Sequence, residues 1–214
     1  LKVRLIEVEI STLGKDPNQL ERAITPKTRA VLAVNMLGNP AQMDAIKQIC
    51  RTKNLYLIED NLTAMGAELK GRPCGSFGDV ATFSTGHGQL ITTMEGGVLV
   101  TENRDIYHIA KALRAYGWTK EVPPQSTAFQ APTEGPDQIK YVVPGYNFRP
   151  LELCAAAGVE QLKKLEGLVE VRRQNACLLY ALFQNDKRFL LPKENGKATW
   201  SSFVIFTHPS LNLE

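Results

Sequence analysis

The sequence predicts an α/β fold with a mostly parallel sheet covered by helices. Short apolar runs recur between amphipathic stretches along most of the 214 residues. Several of these runs have no regular polar positions, which is typical of strands that are buried on both faces. A chain that alternates strand, helix and strand usually pairs its strands in parallel through helical crossovers. The fold class therefore follows from the period and the order of the segments.

Five strands and two helices are predicted before residue 117. The strands are predicted at residues 3–10, 29–35, 55–60, 79–84 and 97–101. A helix follows the second strand, with Asn39 as its N-cap, Pro40 at its first position and an apolar face made of Met43, Ile46, Ile49 and Cys50. A second helix is predicted at residues 103–116, ending at Gly117, with an apolar face made of Ile106, Ile109, Leu113 and Tyr116.

The composition changes after this second helix. Residues 119–138 are rich in proline and polar residues, and we expect them to form a long surface excursion. A long helix is predicted from Pro150 to about residue 184, bent near Gly167, with an apolar face made of Leu151, Cys154, Ala155, Gly158, Val159, Leu162 and Leu165. One further strand is predicted at residues 199–209, and a lone strand cannot complete a domain. We therefore expect a large domain that lacks its N-terminal part over residues 1–165 and the start of a smaller C-terminal α+β domain over residues 166–214.

Composition excludes several classes of function. The net charge of +3 is small and no block of lysine and arginine accompanies it, which argues against nucleic acid as a partner. No apolar run approaches the ~20 residues that span a bilayer, so we expect no membrane partner. The four cysteines are far apart and lack metal-ligand spacing, which predicts buried reduced thiols, no metal site and a cytoplasmic protein.

Two stretches carry candidate chemistry. The segment "LYLIEDN" places Asp60 at the carboxyl end of a predicted strand, where ligands bind in doubly wound sheets. An aspartate there either pairs with a cationic ring nitrogen, as in enzymes that use pyridoxal 5′-phosphate (PLP), or caps the next turn. The segment "FSTGHGQLITTMEGG", residues 83–97, has the small and hydroxyl residues of a loop that approaches a phosphate. Such loops are common, so this second pattern is weak alone.

Taken in order, several segments resemble one known family. They are "AITPKTRAVLAVNMLGNPAQMDAI", "LYLIEDNLTAMGAELKGRPCGSFGDVATFS", "TTMEGGVLVT", "LRAYGW" and "GYNFRPLELCAAAGVEQLKKL". Together they resemble the DegT/DnrJ/EryC1/StrS sugar aminotransferases, which are PLP enzymes of fold type I, similar to aspartate aminotransferase. The variants "MLGNP", "EDN" and "GYNFRPLE" are most similar to the GDP-4-keto-6-deoxymannose 3-dehydratase branch. The resemblance implies that residues 1–165 belong to the PLP-binding domain.

The resemblance also implies roles for four residues. Asp60 matches the aspartate that pairs with the pyridine nitrogen, and Ser84 matches a phosphate-binding serine. Thr63 lies where the family usually has glutamine, or aspartate in the dehydratases, near the phenolic oxygen of the cofactor. Asn147 matches an asparagine that reaches the phosphate of the neighbouring subunit's cofactor, which implies a homodimer with shared sites. A cap for the helix that begins near Pro150 is a second role open to Asn147.

The family's catalytic lysine falls at Gln89 by the spacing from both Phe83 and Glu95. In the 3-dehydratases a histidine holds this position. An amide nitrogen is neither nucleophilic nor basic, so Gln89 can neither bind PLP covalently nor act as a general base. His87 would point to the same face if the loop were extended, and its imidazole suits proton transfer. His87 is otherwise an exposed or structural loop residue.

Three functions remain open on this sequence. The first is dehydration at C3 of a nucleotide-linked 4-keto-6-deoxysugar with pyridoxamine 5′-phosphate (PMP), regenerated by glutamate, in deoxysugar or lipopolysaccharide O-antigen biosynthesis. The second is a non-catalytic relative that binds the cofactor or a nucleotide sugar. The third is a sugar aminotransferase whose lysine lies elsewhere, for example Lys120.

Overall fold

The computed structural model describes residues 1–123, 126–129 and 141–211. Five α-helices form in these residues: α1 Pro17–Ala23, α2 Met43–Thr52, α3 Arg104–Arg114, α4 Glu152–Leu162 and α5 Leu165–Phe183. The strands of the same residues are β1 Ala30–Val34, β2 Tyr56–Asp60, β3 Glu68–Leu69, β4 Arg72–Pro73, β5 Val80–Ser84, β6 Gly97–Val100, β7 Phe189–Leu190 and β8 Phe206–Thr207. None of the helices in the described residues is long and apolar enough to cross a membrane.

The central sheet has the strand order β1-β2-β5-β6. The first three strands are parallel, and β6 pairs antiparallel with β5. Asp60 lies opposite Val34 on one side and Thr82 on the other, so the carboxyl ends of β1, β2 and β5 share one edge. The α/β class, the mostly parallel sheet and four of the five predicted strands are therefore confirmed.

One face of β1 and β2 carries the hydrophobic core. Val31, Ala33 and Leu57 are buried on this face, against the side of α2 that holds Met43, Ile46 and Cys50. The predicted apolar face of α2 is thereby confirmed. On the opposite face Leu32 is 53% exposed and Tyr56 is 58% exposed. Among the described residues, helices therefore cover one face of these two strands, whereas the apolar pattern predicted strands covered on both faces.

A buried carboxylate fixes the approach to β5. Glu59 is fully buried on the core face of β2. Its Oε1 accepts hydrogen bonds from the backbone N–H groups of Phe77 at 2.5 Å and Gly78 at 2.6 Å, and its Oε2 accepts from that of Gly75 at 2.8 Å. Bonds to a charged acceptor are stronger than neutral ones, and three of them compensate for its removal from water. Glu59 therefore ties residues 75–78 to β2.

Residues 3–10 do not form the predicted strand. They make a single antiparallel bridge, Val8 with Lys15, and Leu1, Val3 and Leu5 are exposed. An alternating pattern becomes a strand only when a neighbour supplies backbone partners. The described residues supply one such partner, Lys15, so the alternating pattern of residues 3–10 does not produce a strand.

The start of α2 also differs from the prediction. The helix begins at Met43 after Gln42, and the side chain of Asn39 caps nothing. Asn39 is instead buried, donating through Nδ2 to the carbonyls of Thr12 and Lys193 and accepting from Asn195 N–H. The asparagine that the sequence pattern predicted as a helix cap therefore makes tertiary hydrogen bonds instead.

The ends of α3 are confirmed, but its buried face is not the predicted one. The side chain of Asn103 accepts from the N–H groups of Asp105 and Ile106, as an N-cap does. Gly117 has φ +85°, and a Cβ there would lie 1.7 Å from the carbonyl oxygen of Val143. The buried residues of the helix, however, are His108 and Ala112, and the Nδ1 atom of His108 lies 2.7 Å from the hydroxyl of Ser126. Ile109 and Tyr116 are exposed.

The second half of the chain departs further from the pattern. The long helix is broken at Lys163 and Lys164, before Gly167, into α4 and α5. On α4 the predicted apolar face is largely exposed, with Leu151, Val159 and Leu162 all more than half exposed. The strand predicted at 199–209 shrinks to β8, because only two residues find a partner in β7. The division into domains at residue 165 stays a prediction.

The β3–β4 hairpin turns at Lys70 and Gly71, both with positive φ, as a type I′ turn requires.

Cys50 and Cys74 are buried, while Cys154 is half-buried and Cys177 exposed, so the expectation of four buried thiols is wrong for two of them. Burial raises the pKa of the Cys74 thiol to about 12, and the carboxylates of Glu59 and Glu68 add to the rise.

We expect Glu59→Gln to destabilise the fold by roughly 2–4 kcal/mol, because the amide NH₂ group would face a backbone donor and leave it buried without an acceptor. Urea unfolding followed by far-UV circular dichroism measures the change. Glu68→Gln is the matched control, since that carboxylate is partly exposed and pairs with Lys197 at 3.4 Å. Equal losses of stability in the two variants would contradict this role for Glu59.

Candidate cofactor site

Three strands bring their carboxyl ends to the same edge of the sheet. Asn35 follows β1, Asp60 ends β2 and Ser84 ends β5. The parallel registers place Val34, Asp60 and Thr82 side by side. Ligands of open α/β sheets bind outside this edge. The structure therefore collects Asp60 and Ser84, which the sequence singled out, on the ligand-binding side of the sheet.

The carboxylate of Asp60 has one committed oxygen. Its Oδ1 accepts a hydrogen bond from the N–H group of Leu62 at 3.0 Å, so the aspartate does cap the following turn. The other oxygen, Oδ2, has no hydrogen-bond partner in the part of the chain that the structure describes. The side chain is half-buried, and its backbone carbonyl accepts from Asn35 N–H at 3.0 Å. A capped turn and a free carboxylate oxygen are both present, which leaves Oδ2 to pair with a cation.

A pair of buried amides supports this turn. Asn35 donates through Nδ2 to Oδ1 of Asn61 at 2.6 Å and accepts from Ala41 N–H through Oδ1 at 2.8 Å. Both asparagines are fully buried. The sequence interpretation missed the pair, although two asparagines at the ends of adjacent apolar strands were a visible signal. The Nδ2 atom of Asn61 has no hydrogen-bond partner among the described residues, and such an orphaned donor beside Asp60 marks a polar site.

Thr63 is held mainly through its backbone. Its hydroxyl donates to the carbonyl of Asn35 over a long 3.5 Å, while its own carbonyl accepts from the hydroxyl of Thr199 at 3.2 Å. A bond of 3.5 Å is weak enough to be exchanged for a better acceptor. The hydroxyl of Thr63 can therefore serve a ligand without a large loss.

Hydrogen bonds across its base close the loop between β5 and β6. Thr85 is buried, donates its N–H to Gly96 and accepts the N–H of Thr93 at 2.7 Å. The hydroxyls of Thr85 and Thr93 lie 2.8 Å apart. A Cβ at Gly96 would lie within 2.6 Å of both hydroxyl oxygens. The glycine in "MEGG" is thus required by the closed base of the loop.

The tip of this loop is a turn. Gln89 N–H donates to the carbonyl of Gly86 at 3.3 Å, and Gly88 has φ +83°, which fits the third position of a type II turn. His87 is exposed at the corner of the turn, and Gln89 is half-buried beyond it. The condition under which His87 and Gln89 would share one face, an extended loop, is therefore not met. The reason is that glycine on either side of His87 allows the chain to reverse.

Ser84 is also engaged by this loop. Its hydroxyl oxygen accepts the N–H of Gly86 at 3.2 Å, which leaves the hydroxyl hydrogen free to donate. Its strand partner is Gly97, so no side chain crowds the position from β6. A serine hydroxyl beside a glycine backbone is suited to a phosphate oxygen.

Asn147 lies in a segment bound to the end of α3. The N–H groups of Tyr146 and Phe148 donate to the carbonyls of Leu113 and Arg114. Because α4 begins at Glu152 after Leu151, Asn147 does not cap it, and that alternative is wrong. Asn147 is exposed, and the rings of its sequence neighbours Tyr146 and Phe148 stack on each other at a centroid distance of 5.1 Å.

The remaining expectations concern the excursion after α3. Much of the segment 119–138 lies outside the described residues, namely 124, 125 and 130–138. Lys120 is described, and its Nζ lies 5.1 Å from the centroid of the Trp118 ring. The lysine is exposed, and its observed contact is with this ring.

The donor set of the site fits a phosphorylated pyridine that is held without a covalent bond. Asp60 offers a free carboxylate oxygen, Ser84 and Thr63 offer hydroxyls, and the loop from residue 84 to residue 97 contains no lysine. The amide of Gln89, the residue that the family spacing aligns with the lysine, can donate or accept a hydrogen bond but cannot form a covalent bond to an aldehyde.

Comparisons with known proteins agree with this arrangement. Residues 1–213 match the model of the DegT/DnrJ/EryC1/StrS aminotransferase family. The GDP-4-keto-6-deoxy-D-mannose 3-dehydratase of Yersinia pseudotuberculosis is 41% identical over 212 residues, which cover 98% of this chain and 54% of that protein. The chain thus spans about half the length of the curated relatives it matches.

Two solved structures of a 3-dehydratase have the same fold as this chain. One holds a trapped PLP-glutamate geminal diamine, with a TM-score of 0.90 and 37% identity, covering 97% of this chain and 54% of that one. The other is a variant in which a histidine is replaced by asparagine, with bound GDP-perosamine. It has a TM-score of 0.88 and 38% identity, and covers 96% of this chain and 54% of that one. The expected fold type I class is confirmed by this similarity.

We expect Gln89→Lys to create a covalent, borohydride-reducible link to PLP, because an amine at this position would face the aldehyde. Mass spectrometry after reduction would locate the link at residue 89. Gln19→Lys, a change of the same type on α1, is the control for non-specific labelling of lysine. If Gln89→Lys binds PLP but gives no link, residue 89 is not equivalent to the family's lysine.

Proposed function

Because this chain belongs to the DegT/DnrJ/EryC1/StrS aminotransferase family, we propose that it serves PMP- and PLP-dependent removal of the C3 hydroxyl from a nucleotide-linked 4-keto-6-deoxysugar. The observation that carries the proposal is the amide at Gln89 in a chain 41% identical to a 3-dehydratase. Transamination with a lysine-bound cofactor needs an amine there, whereas chemistry that starts from PMP does not. GDP-4-keto-6-deoxymannose is the first substrate to test, since the relatives act on it by name.

The residues of this chain would divide the work of holding the cofactor. Asp60 would keep the ring nitrogen protonated through the free Oδ2, and Thr63 would donate to the ring oxygen. Ser84 would bind the phosphate through its hydroxyl hydrogen, while the N–H of Gly86 holds the hydroxyl oxygen. When bound, the cofactor supplies an amine that can condense with the 4-keto group and a ring that delocalises the electrons released beside it. Glutamate as the amino donor is supported by the PLP-glutamate adduct of the related dehydratase.

The proton acceptor has to be a residue other than Gln89, since an amide cannot accept a proton. We assign this role to His87, which is the histidine of the loop between β5 and β6. It sits at the exposed corner of the Gly86–Gln89 turn, and the glycines on either side let it swing toward the site. This assignment requires the turn to change conformation when the ligand binds.

A second candidate function is a non-catalytic protein that binds the cofactor or the nucleotide sugar. Two observations favour it: the neutral amide at Gln89 and the turn that directs His87 to solvent. The solved dehydratase variant that carries asparagine in place of a histidine still has GDP-perosamine bound. An aminotransferase that uses Lys120 is less well supported, because that lysine rests on Trp118.

The deciding experiment uses the full-length protein with PLP, glutamate and GDP-4-keto-6-deoxymannose. Replacement of the C3 hydroxyl by hydrogen, detected by mass spectrometry as the loss of one oxygen atom from the sugar with release of ammonia, supports the dehydratase, and His87→Ala should abolish it. Bound ligand without turnover supports the binding protein. A borohydride-reducible spectrum in the unmutated protein would support the aminotransferase and overturn the proposal.

We expect Asp60→Asn to lower turnover by at least about 100-fold with little change in stability, because the ring nitrogen loses its counter-charge. Activity and thermal unfolding are measured on the same preparations. The control is Asp44→Asn on α2, because Lys70, the ion-pair partner of Asp44, is exposed. Asp79→Asn is unsuitable, since Oδ2 of Asp79 accepts a hydrogen bond from Leu57 N–H. Turnover of Asp60→Asn equal to that of Asp44→Asn would refute the role of Asp60.

We expect a homodimer in which Asn147 of each subunit reaches the phosphate of the other. The exposed side chains of Tyr146, Phe148, Leu151 and Leu153 surround or follow Asn147 and would bury apolar surface on association. Light scattering at micromolar concentration measures the assembly, and Asn147→Ala should weaken PLP binding while the dimer persists. A monomer that binds the cofactor with unchanged affinity would contradict shared sites.

We also infer a cytoplasmic location, which the free thiols at all four cysteines favour.

A further inference from the structure

Residues 193–201 lie against the loops that carry the candidate site, and we call this segment the clasp. Four hydrogen bonds join it to the loop after β1. Asn39 donates to the carbonyl of Lys193 and accepts from Asn195 N–H. Thr199 N–H donates to the carbonyl of Gly38 at 3.0 Å, and Ser201 N–H donates to that of Leu37 at 2.9 Å. The clasp therefore follows the loop that begins at Asn35.

The clasp also reaches the loop after β2. Thr199 is fully buried, and its hydroxyl donates to the carbonyl of Thr63 at 3.2 Å. Arg173 of α5 donates to the carbonyls of Ala198 in the clasp and Gly66 in the loop, at 3.0 Å and 3.2 Å. Both loops of the candidate site are thus tied to one segment that is more than 130 residues distant in sequence.

The backbone around Thr199 is tightly constrained. Gly38 has φ +83°, and a Cβ there would lie 2.3 Å from the hydroxyl oxygen of Thr199. Leu37 has φ +55° and Trp200 has φ +47°, both unusual for residues with a side chain. Such conformations persist only where the surrounding contacts enforce them, and they cluster at functional sites. The contact between Thr199 and the two loops is therefore specific in shape as well as in hydrogen bonding.

We propose that Thr199 is a positioning residue of the cofactor site. Its hydroxyl fixes the carbonyl of Thr63, and the short turn from Asp60 to Thr63 then holds its two ligand-facing side chains in place. The inference rests on the proposed function, because the cofactor is the ligand that the turn would position. Within the clasp, Thr199 is the residue whose side chain bonds directly to this turn.

The test compares three variants of the full-length protein. Thr199→Val removes the hydroxyl and keeps the shape, and Thr199→Ser keeps the hydroxyl. Thr101→Val is the matched control, since the hydroxyl of Thr101 also donates to a backbone carbonyl, that of Asp79, at the opposite edge of the sheet. PLP affinity is measured by titrating its absorbance, and thermal unfolding is recorded without cofactor.

We expect Thr199→Val to weaken PLP binding by about 5- to 10-fold, the loss expected for one hydrogen bond, and Thr199→Ser to restore it. Thr101→Val should lower the melting temperature and leave the affinity unchanged. If Thr199→Val and Thr101→Val lower stability alike and bind PLP equally well, Thr199 is merely structural and the proposal is overturned.

Hydrogen exchange of the cofactor-free protein separates this proposal from the proposed function. The amides of Ala64 and Ala67 donate to the carbonyls of Asn61 and Ala64, so they report on the loop after β2. Thr199→Val should speed their exchange, whereas Thr101→Val should not. If the unmutated protein fails to bind PLP, the proposed function fails, while the exchange rates still decide whether Thr199 holds the loop. Unchanged exchange in Thr199→Val would reject the positioning role.

Discussion

The candidate site depends on a single buried charge. Glu59 is removed from water and accepts three backbone N–H groups from residues 75–78, immediately before β5. A carboxylate in such an environment is tolerated only with its bonds complete, so the segment must meet β2 at one register. That register sets Asp60, the next residue, beside Thr82. The position of the Asp60 carboxylate is thus determined by Glu59, its neighbour on the opposite face of the strand.

The sequence predicted what local patterns determine. The strands β1, β2, β5 and β6 were found from apolar runs, and Asp60 was placed at the sheet edge from its position at a strand end, whereas Ser84 was singled out by the family resemblance. Features that depend on distant partners were missed. The bonds of Asn39 to Lys193 and Asn195 join residues that are 154 and 156 positions apart, and no local rule distinguishes such an asparagine from a cap. The Asn35–Asn61 pair joins residues 26 positions apart, and its signal, an asparagine after each of two adjacent apolar strands, was overlooked.

The loop between β5 and β6 shows that a sequence motif can leave the directions of its side chains open. The spacing from Phe83 and Glu95 assigned Gln89 to the family's lysine position, but the direction of each side chain depended on whether the loop was extended. Glycines at 86 and 88 permit a turn, and hydrogen bonds from Thr85 to Thr93 and Gly96 shorten the path between the strands. Because these bonds hold the two ends of the loop close together, the residues between them cannot all be extended, and the chain turns back.

The sequence separation of the clasp affects the order of events during synthesis. Thr63 and Thr199 are 136 residues apart, so the hydroxyl that binds the carbonyl of Thr63 is translated roughly 7–27 s later at 5–20 residues per second. The sheet can pair its strands within that interval, because β1, β2, β5 and β6 all precede residue 101. A nascent chain that forms the sheet in this interval carries it with the edge of the candidate site not yet covered by the clasp. A chaperone that binds exposed apolar surface would act on the nascent chain in this interval, before the clasp is synthesised.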